Sequence, residues 1–408
     1  MTTSTLSAPG RLSNVTPTKP GRGQRAARIL TVAVFVALAA WCGWLLYSDL
    51  DAVIGRRAFV YAVLFAFAPV VPMVAVFVWL DRLRPEPTRL LLAALTWGAL
   101  IATYVSLRLN GWLAADLGDR FGASARSAVF VAPWVEEACK ATVIFAIAWW
   151  RRHDFNGVIA GVVYAGLTGI GFAFTENIVY YGQIFQHVHD LGNDNGAAMG
   201  AVQSLFLWRG VAAPFIHPMF TMMTGIGIGL AVRYRNVGVR VLAPVVGYCT
   251  AVLLHMGYNT AASFAEGRAL VAVYVGMLVP TLLVVSTIVA WAARHQRRVL
   301  AARLQDYTVY GWLKPAQIPY LVGRTERAAF RRQAKALGRP ELERVRTLQR
   351  AGVDLGTLRD RMVRGVASDD ELGREARLIS EVRDQLGRVV LPAGLAGNAD
   401  LVPPRSSW

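Results

Sequence analysis

GVIAGVVYAGLTGIGFAFTENIVYYG, residues 157–182, is a run of apolar and small residues in which Glu176 is the sole charge. Hydrocarbon does not tolerate unpartnered backbone groups, so such a run reads as a helix crossing a bilayer, for which about 20 residues suffice. Working outward, comparable runs occur at 29–48, 58–80, 88–108, 127–150, 211–232, 240–262 and 269–292. The expected fold class is all-α: a polytopic membrane helical bundle of about eight transmembrane helices, with a C-terminal soluble helical region after it.

The placement of basic residues tests this reading independently, because the runs are chosen without reference to charge. Arg22, Arg25 and Arg28, then Arg82, Arg84 and Arg89, then Arg151 and Arg152, then Arg233, Arg235 and Arg240, and finally Arg294, Arg297 and Arg298 fall in alternate connecting segments. The excess of Lys and Arg in cytoplasmic loops then places the N-terminus and the C-terminus in the cytoplasm. Residues 183–196 contain no Lys or Arg, and Arg120 and Arg126 are offset by Asp116 and Asp119. Arg56, Arg57 and Arg108 depart from the pattern. Three regions follow: a disordered cytoplasmic N-terminus at 1–28, a transmembrane domain at 29–292 and a cytoplasmic Arg-rich helical tail at 293–408. The run at 29–48 is too long for the apolar core of a cleaved signal peptide and reads as an anchor.

A formal charge of +17 would suggest nucleic acid, but 55% of the chain is hydrophobic and the arginines gather beside apolar runs and in the tail. Membrane topology accounts for the first group, so no nucleic acid is expected. Cys42, Cys139 and Cys249 lie inside apolar runs without CxxC spacing, which excludes a disulfide framework or a cysteine zinc site. In the tail, Arg324–Leu337 and Asp369–Leu386 read as surface helices. Anionic headgroups of the lipid bilayer or a protein partner would suit that basic surface.

A charge near the bilayer centre costs about 2.5–3.5 kcal/mol on insertion scales, so each one demands a reason. Four spans concentrate such groups: Glu136, Glu137 and Lys140 in the fourth, Glu176 in the fifth, His217 in the sixth, and His255 with Asn259 in the seventh. Glu136 and Lys140 are four apart and share a helix face, whereas Glu137 is turned about 100° away. Lysine is rare here, with Lys19, Lys140, Lys314 and Lys335 the only examples, so one within a membrane span looks chosen. A rise of about 1.5 Å per residue puts Glu136, Glu176, His217 and His255 all between the midplane and the outer face. Residues placed only for helix packing have no need to agree in depth. A lone embedded histidine is usually a core residue bonded to a carbonyl; two level with three carboxylates read as a joint site.

With these residues the chain resembles the PrsW family of bacterial intramembrane proteases, relatives of the type II CAAX prenyl endopeptidases. The resemblance rests on EExxK at Glu136-Glu137-Ala-Cys-Lys140, FxxxE at Phe172–Glu176, HxxxxxxxG at His217–Gly225 and HxxxN/D at His255–Asn259. It covers about residues 130–260 and leaves the tail untouched. It implies cleavage of a membrane-anchored protein substrate at the surface of the bacterial cytoplasmic membrane, an anti-sigma factor being one candidate. Glu136 is the expected base for the attacking water, with Glu137 the alternative, and Lys140 is expected to orient or neutralise the acidic pair. His217 and His255 would stabilise the oxyanion or hold the water. Glu176, His217 and His255 also match a catalytic zinc set with one position open; there is no HExxH, and hydrolysis without metal stays open. Two other classes compete: a proton- or ion-coupled transporter, disfavoured because the inner halves of the charged spans are apolar, and a noncatalytic membrane scaffold.

Overall fold

The computed structural model describes residues 22–121, 129–151, 155, 157–192, 194–265, 267–367 and 369–392. They contain helices and connecting turns and no strand. The chain divides into two compact units, one spanning Arg22–Ala292 and another containing Ala293 onward. In the first, α1 is Arg22–Phe67 and α2 is Val70–Leu80; α3, Thr88–Thr96, continues through a wide π turn into α4, Thr103–Phe121. Then come α5 (Ala132–Trp150), α6 (Val158–Asp190), α7 (Asn195–Phe206), which a second π turn joins to α8 (Ile216–Arg233), α9 (Val237–Phe264) and α10 (Gly267–Gln305), whose residues from Ala293 onward belong to the second unit.

Six stretches are long and apolar enough to cross a membrane, where the sequence reading expects about eight helices. The difference has two sources. Arg25–Leu83 forms one stretch of 59 residues, yet the Tyr47 and Phe59 rings lie 5.2 Å apart. A straight helix would separate them by about 18 Å, so the chain folds back between them, at Gly55 with φ 71°. Glycine reaches that conformation without a side-chain clash. The second source is α5, whose 19 residues include Glu136, Glu137 and Lys140 and so fall short on apolarity alone.

Burial ranks the helices. In α6, 83% of the most apolar stretch is covered, against 17% in α9 and 11% in α10. The covered helix is rich in glycine because its neighbours approach at backbone distance. A Cβ on Gly161 would lie 2.0 Å from the Gly225 carbonyl oxygen of α8, and one on Gly169 would lie 2.6 Å from Pro218. Small residues at such crossings are how helices associate in lipid, where apolar surface supplies no drive of its own. The outer helices turn Trp44, Leu253 and Val284 outward, a surface suited to lipid and not to water.

Residues 1–21 of the expected disordered N-terminus lie outside the described residues, as do 122–128 with Arg126 and 152–154 with Arg152. Arg22–Arg28 form the first turns of α1 and so differ from the disordered reading.

The second unit contains α11 (Ile318–Val322), α12 (Arg324–Ala336), α13 (Arg339–Val363) and α14 (Asp369–Arg388). The two expected tail helices are present as α12 and α14. The 25-residue α13 is additional, and its Val345, Leu348, Gly352, Leu355 and Leu358 are buried. Its arginines hide this seam from a reading by composition. Tyr307 donates to Glu375 Oε1 at 2.6 Å, and burial together with that carboxylate pushes the phenol pKa up.

Candidate active site

The elements of the first unit bring α5, α6, α8 and α9 to one cluster of charged groups. Trp97, in the turn after α3, donates its indole N–H to the Cys139 carbonyl at 2.9 Å and anchors α5 beside it. Glu137 and Lys140 are completely buried. Lys140 Nζ lies 2.8 Å from Glu137 Oε1 and 3.8 Å from Glu136 Oε2, so its closer carboxylate is the one three residues back. Spacings of three and four are both neighbours on a helix, and the facing helices decide between them. Thr221 Oγ1 of α8 lies 3.0 Å from Glu137 Oε2, and His255 Nδ1 of α9 lies 3.1 Å from Glu137 Oε1. These contacts draw Glu137 into the bundle. Lys140 Nζ also sits 3.7 Å over the Phe172 ring, the first position of FxxxE.

Glu176 of α6 and His217 of α8 form the other half. Glu176 Oε2 lies 2.7 Å from His217 Nε2 and 2.5 Å from an Arg209 terminal nitrogen. The opposite ring nitrogen, His217 Nδ1, faces Lys140 Nζ at 3.3 Å. The two imidazole centroids are 5.2 Å apart, and Phe220 stacks on His255 at the same separation.

Glu136 closes the ring. Its Oε1 accepts from Asn110 Nδ2 of α4 at 3.3 Å, while Oε2 is buried without a hydrogen bond, nearest His255 Nε2 at 3.7 Å. Donor atoms of Glu136, His217 and His255 all fall within 4.8 Å of one another, which makes them a group able to hold a metal ion. The expected set had Glu176 in place of Glu136. In the structure Glu176 is committed to Arg209 and to the edge of His217. Asn259 is half-buried one turn beyond His255 on α9.

Residues 86–286 match the family model for PrsW family intramembrane metalloproteases. Over that span the chain belongs to the PrsW family. All seven expected site residues lie inside it. No curated protein and no solved structure gives a match. Membership in PrsW makes the chain a membrane-embedded protease, with a membrane protein as its substrate and lipid as its surroundings.

The word metalloprotease in the PrsW description needs a test against the residues present, and they fit. Each histidine rests one nitrogen on a carboxylate, His255 Nδ1 on Glu137 and His217 Nε2 on Glu176, as metal-binding imidazoles do in other proteins. The buried Glu136 Oε2 without a hydrogen bond is the kind of atom that an ion would satisfy.

Four members of the PrsW cluster escape a reading of charge alone: Thr221, Asn110, Tyr258 and, in its clamping role, Arg209. Thr221 falls one turn after His217 on the same face, which is a usable signal. Asn110 is neutral and falls two residues beyond the run at 88–108, so nothing marks it. Tyr258 precedes Asn259 and takes a contact from Arg209 at 3.5 Å.

Proposed function

We propose that the chain is an endopeptidase that cleaves a membrane-anchored protein near the extracytoplasmic face of a bacterial cytoplasmic membrane, with Glu136 taking the proton of the attacking water. The observation that carries this reading is Glu136 Oε2, a buried acceptor with no hydrogen bond, beside two imidazoles that are each oriented by their own carboxylate. Peptide hydrolysis requires a basic group within reach of water and donors aimed at the developing oxyanion. Water oxygen attacks the scissile carbonyl carbon while its proton passes to Glu136. The C–N bond then breaks and the same proton reaches the leaving amine. Lys140 neutralises Glu137, which holds His255 by Nδ1, so that the Nε2 lone pair is left to accept from the reacting water. A divalent ion held by Glu136, His217 and His255, zinc by its preference for such ligands, would polarise the carbonyl and lower the pKa of bound water.

Eight passes, with both termini in the cytoplasm, are supported by the fold-back at Gly55, by the length of α5 and by the alternation of basic segments. An anti-sigma factor is one substrate that this topology would suit, and the tail would lie on the cytoplasmic side. The test is release of fragments, identified by mass spectrometry, from membrane proteins reconstituted with the full chain. Glu136→Gln, His217→Ala and His255→Ala are each expected to lower turnover by about 100-fold or more; wild-type turnover in all three would end the proposal. Metal content separates the two uses of Glu136: loss of bound ion in Glu136→Gln assigns it as a ligand, whereas cleavage by metal-free protein that chelators leave untouched assigns it as the base alone.

A further inference from the structure

We propose that Arg209 is a positioning residue of this site: it holds Glu176 against His217 Nε2 and thereby fixes one tautomer of that imidazole. The proposal rests on the reading that His217 serves hydrolysis. Its geometry is independent of that reading. Arg209 leaves the wide turn Leu207–Ala212 just before α8 and reaches α6 at two successive residues. Its terminal nitrogen meets Glu176 Oε2 at 2.5 Å and its Nε donates to Asn177 Oδ1 at 2.7 Å. The guanidinium also lies 4.1 Å over the Tyr180 ring, and its other nitrogen is 3.5 Å from Tyr258 Oη. A planar fork can serve these partners together; a single ammonium cannot.

The consequence for His217 follows from the inventory of donors. A carboxylate paired with arginine accepts only, so the proton between Glu176 and His217 is carried by Nε2. An ammonium donates only, so Nδ1 turns its lone pair toward Lys140 at 3.3 Å, and this is the one lone pair of His217 that an ion would compete for. Without the guanidinium, Glu176 would be a buried charge with its cation missing and would swing away from Nε2, leaving His217 without the acceptor that selects its tautomer. Arg209, Asn177, His217 and Tyr258 share one pocket with Ile170 and Phe174, so the clamp stands where a substrate would approach. Each of the three Arg209 nitrogens nonetheless already meets a protein partner there.

Nitrogen NMR of the full-length chain labelled with 15N-histidine in micelles reads the tautomer directly, with His217→Gln assigning the signal among six histidines. The wild type is expected to show protonated Nε2 and unprotonated Nδ1. Arg209→Gln is expected to move both nitrogens to intermediate shifts, as Glu176→Gln does, and the double variant should change nothing more. A His217 signal in Arg209→Gln identical to the wild type would overturn the proposal. Should Arg209→Gln fail to fold, Arg209→Lys decides: one nitrogen in place of the fork is expected to disturb the signal, and an undisturbed one overturns the idea. On any membrane substrate the wild type cuts, Arg209→Lys is expected to lower kcat about tenfold or more at unchanged KM. A rise in KM alone would make Arg209 a substrate contact and overturn it. A chain without proteolytic activity would still answer the NMR question, so failure of the clamp and failure of the protease reading are distinguishable.

Discussion

In the C-terminal unit Asp360 lies between Arg303 at 3.3 Å and Arg364 at 2.9 Å, and Arg361 meets Glu371 at 3.1 Å. Buried Arg327 in the same unit is held instead by the backbone carbonyls of Leu321 and Gln349. In the membrane unit three acids, Glu136, Glu137 and Glu176, face two fixed cations, Lys140 and Arg209, with two imidazoles between them. Lys140 lies 2.8 Å from Glu137 and only 3.8 Å from Glu136 Oε2, an oxygen left without a hydrogen bond among the described residues. Charges that only hold helices together are satisfied, by an opposite charge or by backbone carbonyls; a set that must act on something else keeps an atom in reserve.

The sharpest way to break this contrast is to remove a closely paired charge from the membrane set. Glu137→Leu strips Lys140 of its nearest partner and is expected to cost about 3–5 kcal/mol, the scale for opening a buried pair. Thermal unfolding in detergent measures it, and a loss no larger than that of a surface change would deny that the pair is structural. Glu136→Gln should do the reverse. Cleavage is expected to fall about 10²–10⁴-fold, while stability stays within about 0.5 kcal/mol because glutamine can keep the Asn110 bond. A large fall in melting temperature would move Glu136 into the matched class. In the second unit, Glu371→Gln weakens the pair with Arg361 and is expected to destabilise that unit by about 1–3 kcal/mol, read from its unfolding, with cleavage unaffected. The smallest effect belongs to Asp354→Ala, whose partner Arg374 is 3.7 Å away and half exposed; less than about 1 kcal/mol is expected from the same unfolding curves.

Much of this was legible in the sequence because lipid makes charge expensive. Glu136, Glu137, Lys140, Glu176, His217 and His255 stand out from apolar runs, and the structure brings all six into one cluster. Pairing was less legible. Positions 136, 137 and 140 permit either carboxylate to meet the lysine, and only the approach of Thr221 and His255 from other helices selects Glu137. The exchange of Glu176 for Glu136 in the group that could hold a metal has a similar origin, since Arg209 claims Glu176 from a distance of 33 residues. Long apolar runs were visible, but the fold-back at Gly55 depends on one backbone angle, and two runs merge into one stretch without it. In the tail, α13 is buried on an apolar seam interleaved with six arginines, which blur its periodicity.

The meeting of Gly161 with Gly225 carries a mechanical consequence. Their backbones touch, and neither helix has a flexible side chain there to act as a bearing. The rods that bear Glu176 and His217 thus rest backbone on backbone, there and again where Gly169 meets Pro218. A single methyl group added at Gly161 or Gly169 would wedge the two rods apart, and with them the carboxylate from its imidazole.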